Sequence, residues 1–385
     1  MSVRDMLAPT STDELCDALK SAADRGETME IGGAFSKQTM GGPIAAAEVQ
    51  ITTTAMSRVL AYEPDDLTIS VEAGMRWSEL VRVVGKNRQF IPVDPAFGET
   101  ATVGGVVASD SSGPRRRRYG TARDATIGMG FVTVEGKLIQ SGGMVVKNVA
   151  GLDMAKIQIG SFGTLAAIAT VNFKVLPQPV TTRSFVFSGD DLSVVLKVRR
   201  RILASQLQPV AVDLLTKDDL YRLVAEAHGG EATVARYESN YKEFANAAGA
   251  DLEVLSNSAE AQLWNEVREF SSRWMAAHPD GGVLRVSSPP ADLGIVVELC
   301  ENASVSRAAS GVTYVGCTDA EALTRQLATL RSKGLKTLVE HASASIKGTV
   351  EQWADPDSSF AVMQRLKYEL DPKGLLNPGR LFGRI

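Results

Sequence analysis

Residues 28–36 read Thr-Met-Glu-Ile-Gly-Gly-Ala-Phe-Ser, a strand-like run that ends in two glycines, a small residue and a hydroxyl. Glycine lets a backbone turn tightly and approach a ligand with no Cβ in between. Upstream, Ser11 and Glu14 have capping-box spacing, Leu15, Ala18, Leu19 and Ala22 share one helical face, and Gly26 is placed to end that helix. The order is helix, strand, glycine turn. Two later segments carry the same chemistry, Thr102-Val103-Gly104-Gly105 and Gly160-Ser161-Phe162-Gly163-Thr164-Leu165. Such residues suit backbone N–H groups closing on a phosphate or a flat ring. Any one segment alone reads equally well as a tight turn. The three in this order point to one ligand.

Outward from these turns, Glu48 to Thr53 and Leu67 to Glu72 alternate as strands, and Trp77 to Val84 reads as a helix. Phe90 to Val93 is extended before Asp94-Pro95. Ile127 to Val134 and Lys137 to Ser141 form a hairpin around Glu135-Gly136. Pro177 and Pro179 mark a linker. Beyond it, helical patterns at 192–206, 258–275 and 318–333 alternate with strand-like runs. Those runs are Ser184 to Phe187, Ala211 to Leu215, Thr233 to Tyr237, Val283 to Ser287, Val312 to Val315 and Lys336 to Glu340. The alternation predicts a second α/β domain, an open sheet with helices on one face. From Phe360 the chain reads as a helix that ends at DPKGLLNPGRLFG.

Composition narrows the functions. The 385 residues are 44% apolar and 22% charged, with a net charge of −4, so two or three soluble domains are expected and no bulk field draws the chain to nucleic acid. Cys16, Cys300 and Cys317 are too scattered for a disulfide framework and fit a reducing compartment. No run of 18 apolar residues occurs and the start does not read as a secretory signal, so the expected place is the cytoplasm. GxGxxG after a strand, GxxxxGK[ST], HExxH and GxSxG are all missing. His228, His278 and His341 have no second histidine at ligand spacing, and no metal is expected.

The glycine segments and their surroundings resemble the FAD-binding domain of the vanillyl-alcohol oxidase and p-cresol methylhydroxylase (PCMH) family. The matching residues are GGAFS at 32–36, IPVDP at 91–95, TVGG at 102–105, SSG at 111–113, YGTARD at 119–124 and GSFGTL at 160–165, with LDPKGLLNPGRLF as the closing motif. The resemblance implies an α+β fold: a two-subdomain PCMH-type FAD-binding domain over 1–180, a smaller α/β cap with an antiparallel sheet over 181–358, and a segment, 359–385, that returns to the FAD domain. The cofactor-binding positions it implies are Gly32, Gly33, Ala34, Phe35, Ser36, Pro92, Thr102, Val103, Gly104, Gly105, Ser109, Ser112, Gly113, Tyr119, Gly120, Lys147, Gly160, Gly163, Thr164 and Ile168. Phe35 stands where covalent members carry histidine, so FAD is expected to be held noncovalently.

Within the family, SGPRRRRYG, GGMVVKNVAGLD and GSFGTL are similar to the FAD-binding subunits of glycolate oxidase. That likeness implies a larger FAD-linked catalytic subunit, an iron–sulfur subunit, and electrons passing from glycolate towards a membrane quinone, with peripheral association at the inner face of the cell membrane. A self-sufficient oxidoreductase of 2-hydroxy acids or sugar lactones, and a flavin-free structural subunit, stay open beside it. Arg115 and Arg116 either face water or meet an anion. Lys147 could sit near the flavin pyrimidine edge. Glu340-His341 is similar to a catalytic segment of D-2-hydroxyacid dehydrogenases, which makes His341 a candidate base. No residue is singled out as the catalytic group.

Overall fold

The Ser11 hydroxyl accepts from the Glu14 amide at 3.2 Å, so the first helix, Thr12–Arg25, starts where its cap permits and stops at Gly26, whose φ is 72°. Its buried face, Leu15, Leu19 and Ala22, packs on a three-stranded parallel sheet of β1 (Asp5–Leu7), β2 (Met29–Gly32) and β3 (Val49–Thr52), in the order β1-β3-β2. The computed structural model describes residues 5–43, 47–145, 152–218, 220–354, 356–383 and 385.

An antiparallel five-stranded sheet follows, built from β4 (Val59–Glu63), β5 (Thr68–Glu72), β7 (Thr126–Val132), β8 (Leu138–Gly142) and β9 (Ala167–Lys174) in the order β4-β5-β9-β7-β8. A short pair, β6 (Gln89–Phe90) with β10 (Leu176–Pro177), stands apart from it. The core here holds Val71, Met129 and Phe173 against Trp77 and Leu80 of the helix Trp77–Gly85, with Trp77 edge-on to Phe173 at 5.9 Å. These two sheets and the helix Phe360–Leu370 lie in one unit, residues 1–112, 120–178 and 355–385.

Residues 113–119 and 179–354 form the other unit. Its sheet has eight strands, all paired antiparallel: β11 (Thr181–Gly189), β12 (Ala211–Lys217), β13 (Leu220–Gly229), β14 (Asp251–Leu255), β15 (Gly282–Ser287), β16 (Ser304–Arg307), β17 (Val312–Cys317) and β18 (Lys336–Ala342). The order is β14-β11-β13-β12-β16-β17-β15-β18.

Three expectations are corrected here. Helices cover both faces rather than one. Leu192–Ala204 and Glu231–Ala248 pack on Val212, Leu214, Leu223 and Ala225, while Leu263, Trp264 and Val267 of Asn257–Arg268 cover Val186, Ala211, Leu215 and Val224. The central strands are apolar on alternate residues of both kinds, so each face needs a cover. Thr233 to Tyr237 is helical, because Val234, Tyr237, Tyr241, Phe244 and Ala245 recur on one helical face and override the local β preference. The pattern at 258–275 breaks at Glu269 into two helices, Asn257–Arg268 and Phe270–Ala277.

Candidate functional site

β2 delivers the chain to the loop 32–36. The N–H groups of Gly33, Ala34, Phe35 and Ser36 meet no protein acceptor among the described residues. Four successive amides without a protein acceptor, that of Gly33 in a buried residue and the others in half-buried ones, form a concave set of donors suited to an anion. Phe35 has φ 52°, a left-handed conformation that is uncommon for a bulky residue and concentrates at ligand sites. Gly33 is required for packing: a Cβ there would stand 2.0 Å from the Thr102 Oγ1. Thr102 in turn caps the short helix Val103–Ala108, its Oγ1 accepting from the Gly105 amide at 3.3 Å.

The third glycine segment is tied to that helix. The Gly160 amide donates to the Val107 carbonyl at 3.2 Å and the Phe162 amide to the Ala108 carbonyl at 2.8 Å. The C-terminal segment then joins the first and third loops. Asn377 Nδ2 donates to the Phe162 carbonyl at 2.7 Å and to the Ile31 carbonyl at 3.1 Å, while its Oδ1 accepts from the Ile31 amide at 2.7 Å. Asn377 is presented by a buried turn. The Lys367 ammonium donates to Asp371 at 2.6 Å and to the carbonyls of Thr164 and Leu376, and Asp371 accepts from the amides of Leu375 and Leu376. Burial lowers the Lys367 ammonium from its usual range, and Asp371 works against that shift.

These loops line one pocket. Of the positions expected from sequence, Gly32, Gly33, Ala34, Phe35, Ser36, Thr102, Gly104, Gly105, Ser109, Gly163 and Ile168 line it. Pro92, Val103, Gly160 and Thr164 belong to the same unit but do not line it; Val103 is core, and the Thr164 hydroxyl is spent on the Ser161 carbonyl at 2.7 Å. Ser109 likewise donates to the Gly105 carbonyl at 2.7 Å. Ser112 and Gly120 flank the segment that leaves for the other unit, and Gly113 and Tyr119 lie within it. Lys147 lies outside the described residues. Sequence reasoning did not find Glu30, Lys37, Gln38, Phe162, Asn377 and Arg380 in the lining. The signal for the last two is the NPGR of the closing motif, residues 377–380.

The cationic run acts inside the second unit. Arg115 grips the buried Glu226 with two bonds, Nε at 3.1 Å and Nη2 at 2.7 Å. His228 stands between two partners, its Nε2 3.0 Å from Glu226 and its Nδ1 3.0 Å from the Tyr119 hydroxyl. Arg117 donates to the Pro209 carbonyl at 3.0 Å, and Arg116 is exposed. His341 is buried on β18 beside Glu340; burial raises that carboxyl while Arg285, 3.9 Å away, draws it down.

Burial alone would raise the Glu226 carboxyl, but Arg115 and His228 hold it down at about 2. A carboxyl lowered in the folded state stabilises fully above its unfolded value and loses that contribution as pH falls through the folded one. Glu226→Gln should therefore destabilise the second unit by about 3 kcal/mol at pH 7, since one partner of a buried pair is removed. The difference between variant and wild-type melts should shrink as pH drops below about 4.5 towards 2. A difference that stays constant over that range would place the effect elsewhere.

Comparisons with known proteins agree with this geometry. Residues 5–142 match the FAD binding domain family, and residues 340–381 match the C-terminal domain of FAD linked oxidases. The glycolate oxidase subunit GlcE of Escherichia coli (strain K12) is 26% identical, covering 96% of this chain and 97% of its own length. The glycolate oxidase subunit GlcD of Bacillus subtilis (strain 168) is 22% identical over 98% of this chain and 89% of its own. In fold, the chain is similar to a solved alkyldihydroxyacetonephosphate synthase, with a TM-score of 0.73 at 15% identity over 97% of this chain and 76% of that one. The class is thus an FAD-dependent oxidoreductase. The chain carries an FAD binding domain over 5–142 and an FAD linked oxidase C-terminal domain over 340–381, consistent with the PCMH-type FAD-binding superfamily.

Proposed function

We propose that this chain is the FAD-binding subunit of a glycolate oxidase, oxidising glycolate to glyoxylate and passing the electrons through FAD to a partner iron–sulfur subunit beside a larger FAD-linked catalytic subunit. The observation that carries the reading is the end-to-end match, in both directions, with a glycolate oxidase subunit. Its coarser part is that the chain is an FAD-dependent oxidoreductase acting on hydroxy acids. No helix among the described residues is long and apolar enough to cross a membrane, so contact with a membrane would come through the complex.

The pocket fits the cofactor. The open amides of residues 33–36 are donors for a diphosphate, and the glycines at 32, 33, 104 and 163 let Phe35, Thr102, Ala73 and Asn377 pack closely around the cleft. Asn377 fixes the spacing of the first and third loops before any ligand arrives, which lowers the ordering cost of binding. FAD, once bound, supplies the two-electron acceptor for the hydrogen leaving the carbinol carbon. Phe35 offers that cofactor no nucleophilic atom, so the hold is noncovalent. Protein denaturation should release all of the flavin into the supernatant.

The test is anaerobic mixing of the purified chain with glycolate, alone and after co-expression with its two partners. Flavin bleaching is expected to be slow or missing in the isolated chain and rapid in the complex. Rapid bleaching of the isolated chain by glycolate or D-lactate would overturn the subunit role and establish a self-sufficient dehydrogenase.

A further inference from the structure

Arg380 is 8% exposed, and it lines the pocket beside the loop 32–36. Its Nη2 donates to the carbonyl of Lys37 at 2.9 Å, one residue beyond the last open amide. Its Cζ stands 5.8 Å from the centroid of the Phe162 ring, at the third glycine segment. The guanidinium therefore sits between the two turns. No carboxylate lies within 4.0 Å of it among the described residues, and its Nε and Nη1 donate to no protein atom there.

The nearest candidate for a counter-ion is already engaged. Glu30, buried in the same pocket, accepts from Gln38 at 3.2 Å and from Gln50 at 3.0 Å, and it attracts Arg380 only from beyond ion-pair distance. Burial pushes the Arg380 guanidinium down to about 10, which leaves it charged at neutral pH. A buried cation with an open donor fork is strongly unfavourable unless an anion completes it. A guanidinium presents parallel donors that suit phosphate oxygens.

We propose that Arg380 is the counter-cation of the FAD diphosphate, and that the C-terminal segment is thereby part of the cofactor site. Amides of the loop 32–36 take one side of the diphosphate and the open fork of Arg380 takes the other. The arrangement makes the site selective for flavin carrying a diphosphate over flavin without one. This rests on FAD being the ligand of the pocket.

The experiment compares FAD and riboflavin, which has the same ring system and no phosphate, by fluorescence titration of deflavinated protein. In Arg380→Gln the ratio of FAD to riboflavin affinity should fall by about 10- to 100-fold, the range expected when a charge-assisted hydrogen bond is lost. Arg380→Lys keeps the charge and should recover most of the ratio. An unchanged ratio in the glutamine variant, or an equal fall in both variants, overturns the assignment. Should the glutamine variant not fold, inorganic pyrophosphate and wild-type protein carry the test: competition with FAD is expected, and none at 10 mM overturns it. Wild-type protein that binds no FAD at all would instead refute the cofactor itself.

Discussion

Asp371→Ala should destabilise the first unit by about 3–5 kcal/mol, the cost of removing one member of a buried ion pair. Asp371 is fully buried and touches the Lys367 ammonium at 2.6 Å. Without it the ammonium keeps only the carbonyls of Thr164 and Leu376, and the amides of Leu375 and Leu376 lose their acceptors. The turn that presents Asn377 goes with them. Thermal melting should show a fall of roughly 10 °C. The flavin content, read as the ratio of visible to ultraviolet absorbance, should fall in parallel. Replacing both members by apolar residues, Lys367→Met with Asp371→Leu, should recover part of the melting temperature, since no bare charge is left behind. If the double variant melts as low as the single one, the pair is not the source of the loss.

The second large effect belongs to Gly33→Ala. The added Cβ would stand 2.0, 2.7 and 2.8 Å from Oγ1, Cγ2 and Cβ of Thr102, three atoms of one fully buried side chain. Thr102 cannot swing away without giving up its cap, worth about 1 kcal/mol, so the loop must move instead. Displacing it misaligns several amide donors at once, and FAD affinity should drop at least about 100-fold by the ordinary worth of two such bonds to a charged ligand. Adding Thr102→Ala removes the two nearest atoms and should restore part of the affinity. Gly85→Ala is the control, because its nearest neighbour is Gln178 Nε2 at 4.0 Å. Equal FAD affinity in Gly33→Ala and wild type would mean that the loop does not contact the cofactor.

Much of the first unit was legible because its signals are local. Ser11 and Gly26 bound a helix by capping chemistry, and the hairpin at Glu135-Gly136 follows from a turn whose glycine has φ 73°. The fold class was legible through the same glycine segments, since a residue such as Gly33 marks a close approach wherever it falls. Less was visible beyond residue 180. Strands such as Leu220–Gly229 are buried on both faces and lack the alternation that betrays a strand, and Thr233 to Tyr237 is β-like only when its helical partners further along are ignored. In the pocket, the loop amides could be anticipated from glycine content. Asn377 and Arg380 could not, because the atoms they serve lie some 340 residues earlier, at separations of 346 and 343. Arg115 shows the same limit: a run of four cations looks solvated until the fold sets Glu226 against one of them.

Both units are threaded discontinuously, and that orders events during synthesis. The second unit needs Arg115 and Tyr119, made early, to meet β13, made more than 100 residues later. The first unit waits longer still. Its opening strands and glycine turns leave the ribosome soon, yet Asn377 and Arg380 are translated 346 and 343 residues after the loop atoms they brace. Until they emerge, the nascent cradle lacks the bonds from Asn377 and Arg380, and its affinity for the flavin nucleotide should be low. Cofactor capture is therefore a late step, following synthesis of the closing segment, and a message truncated shortly before the codon for Asn377 should yield colourless protein however intact its amino-terminal half.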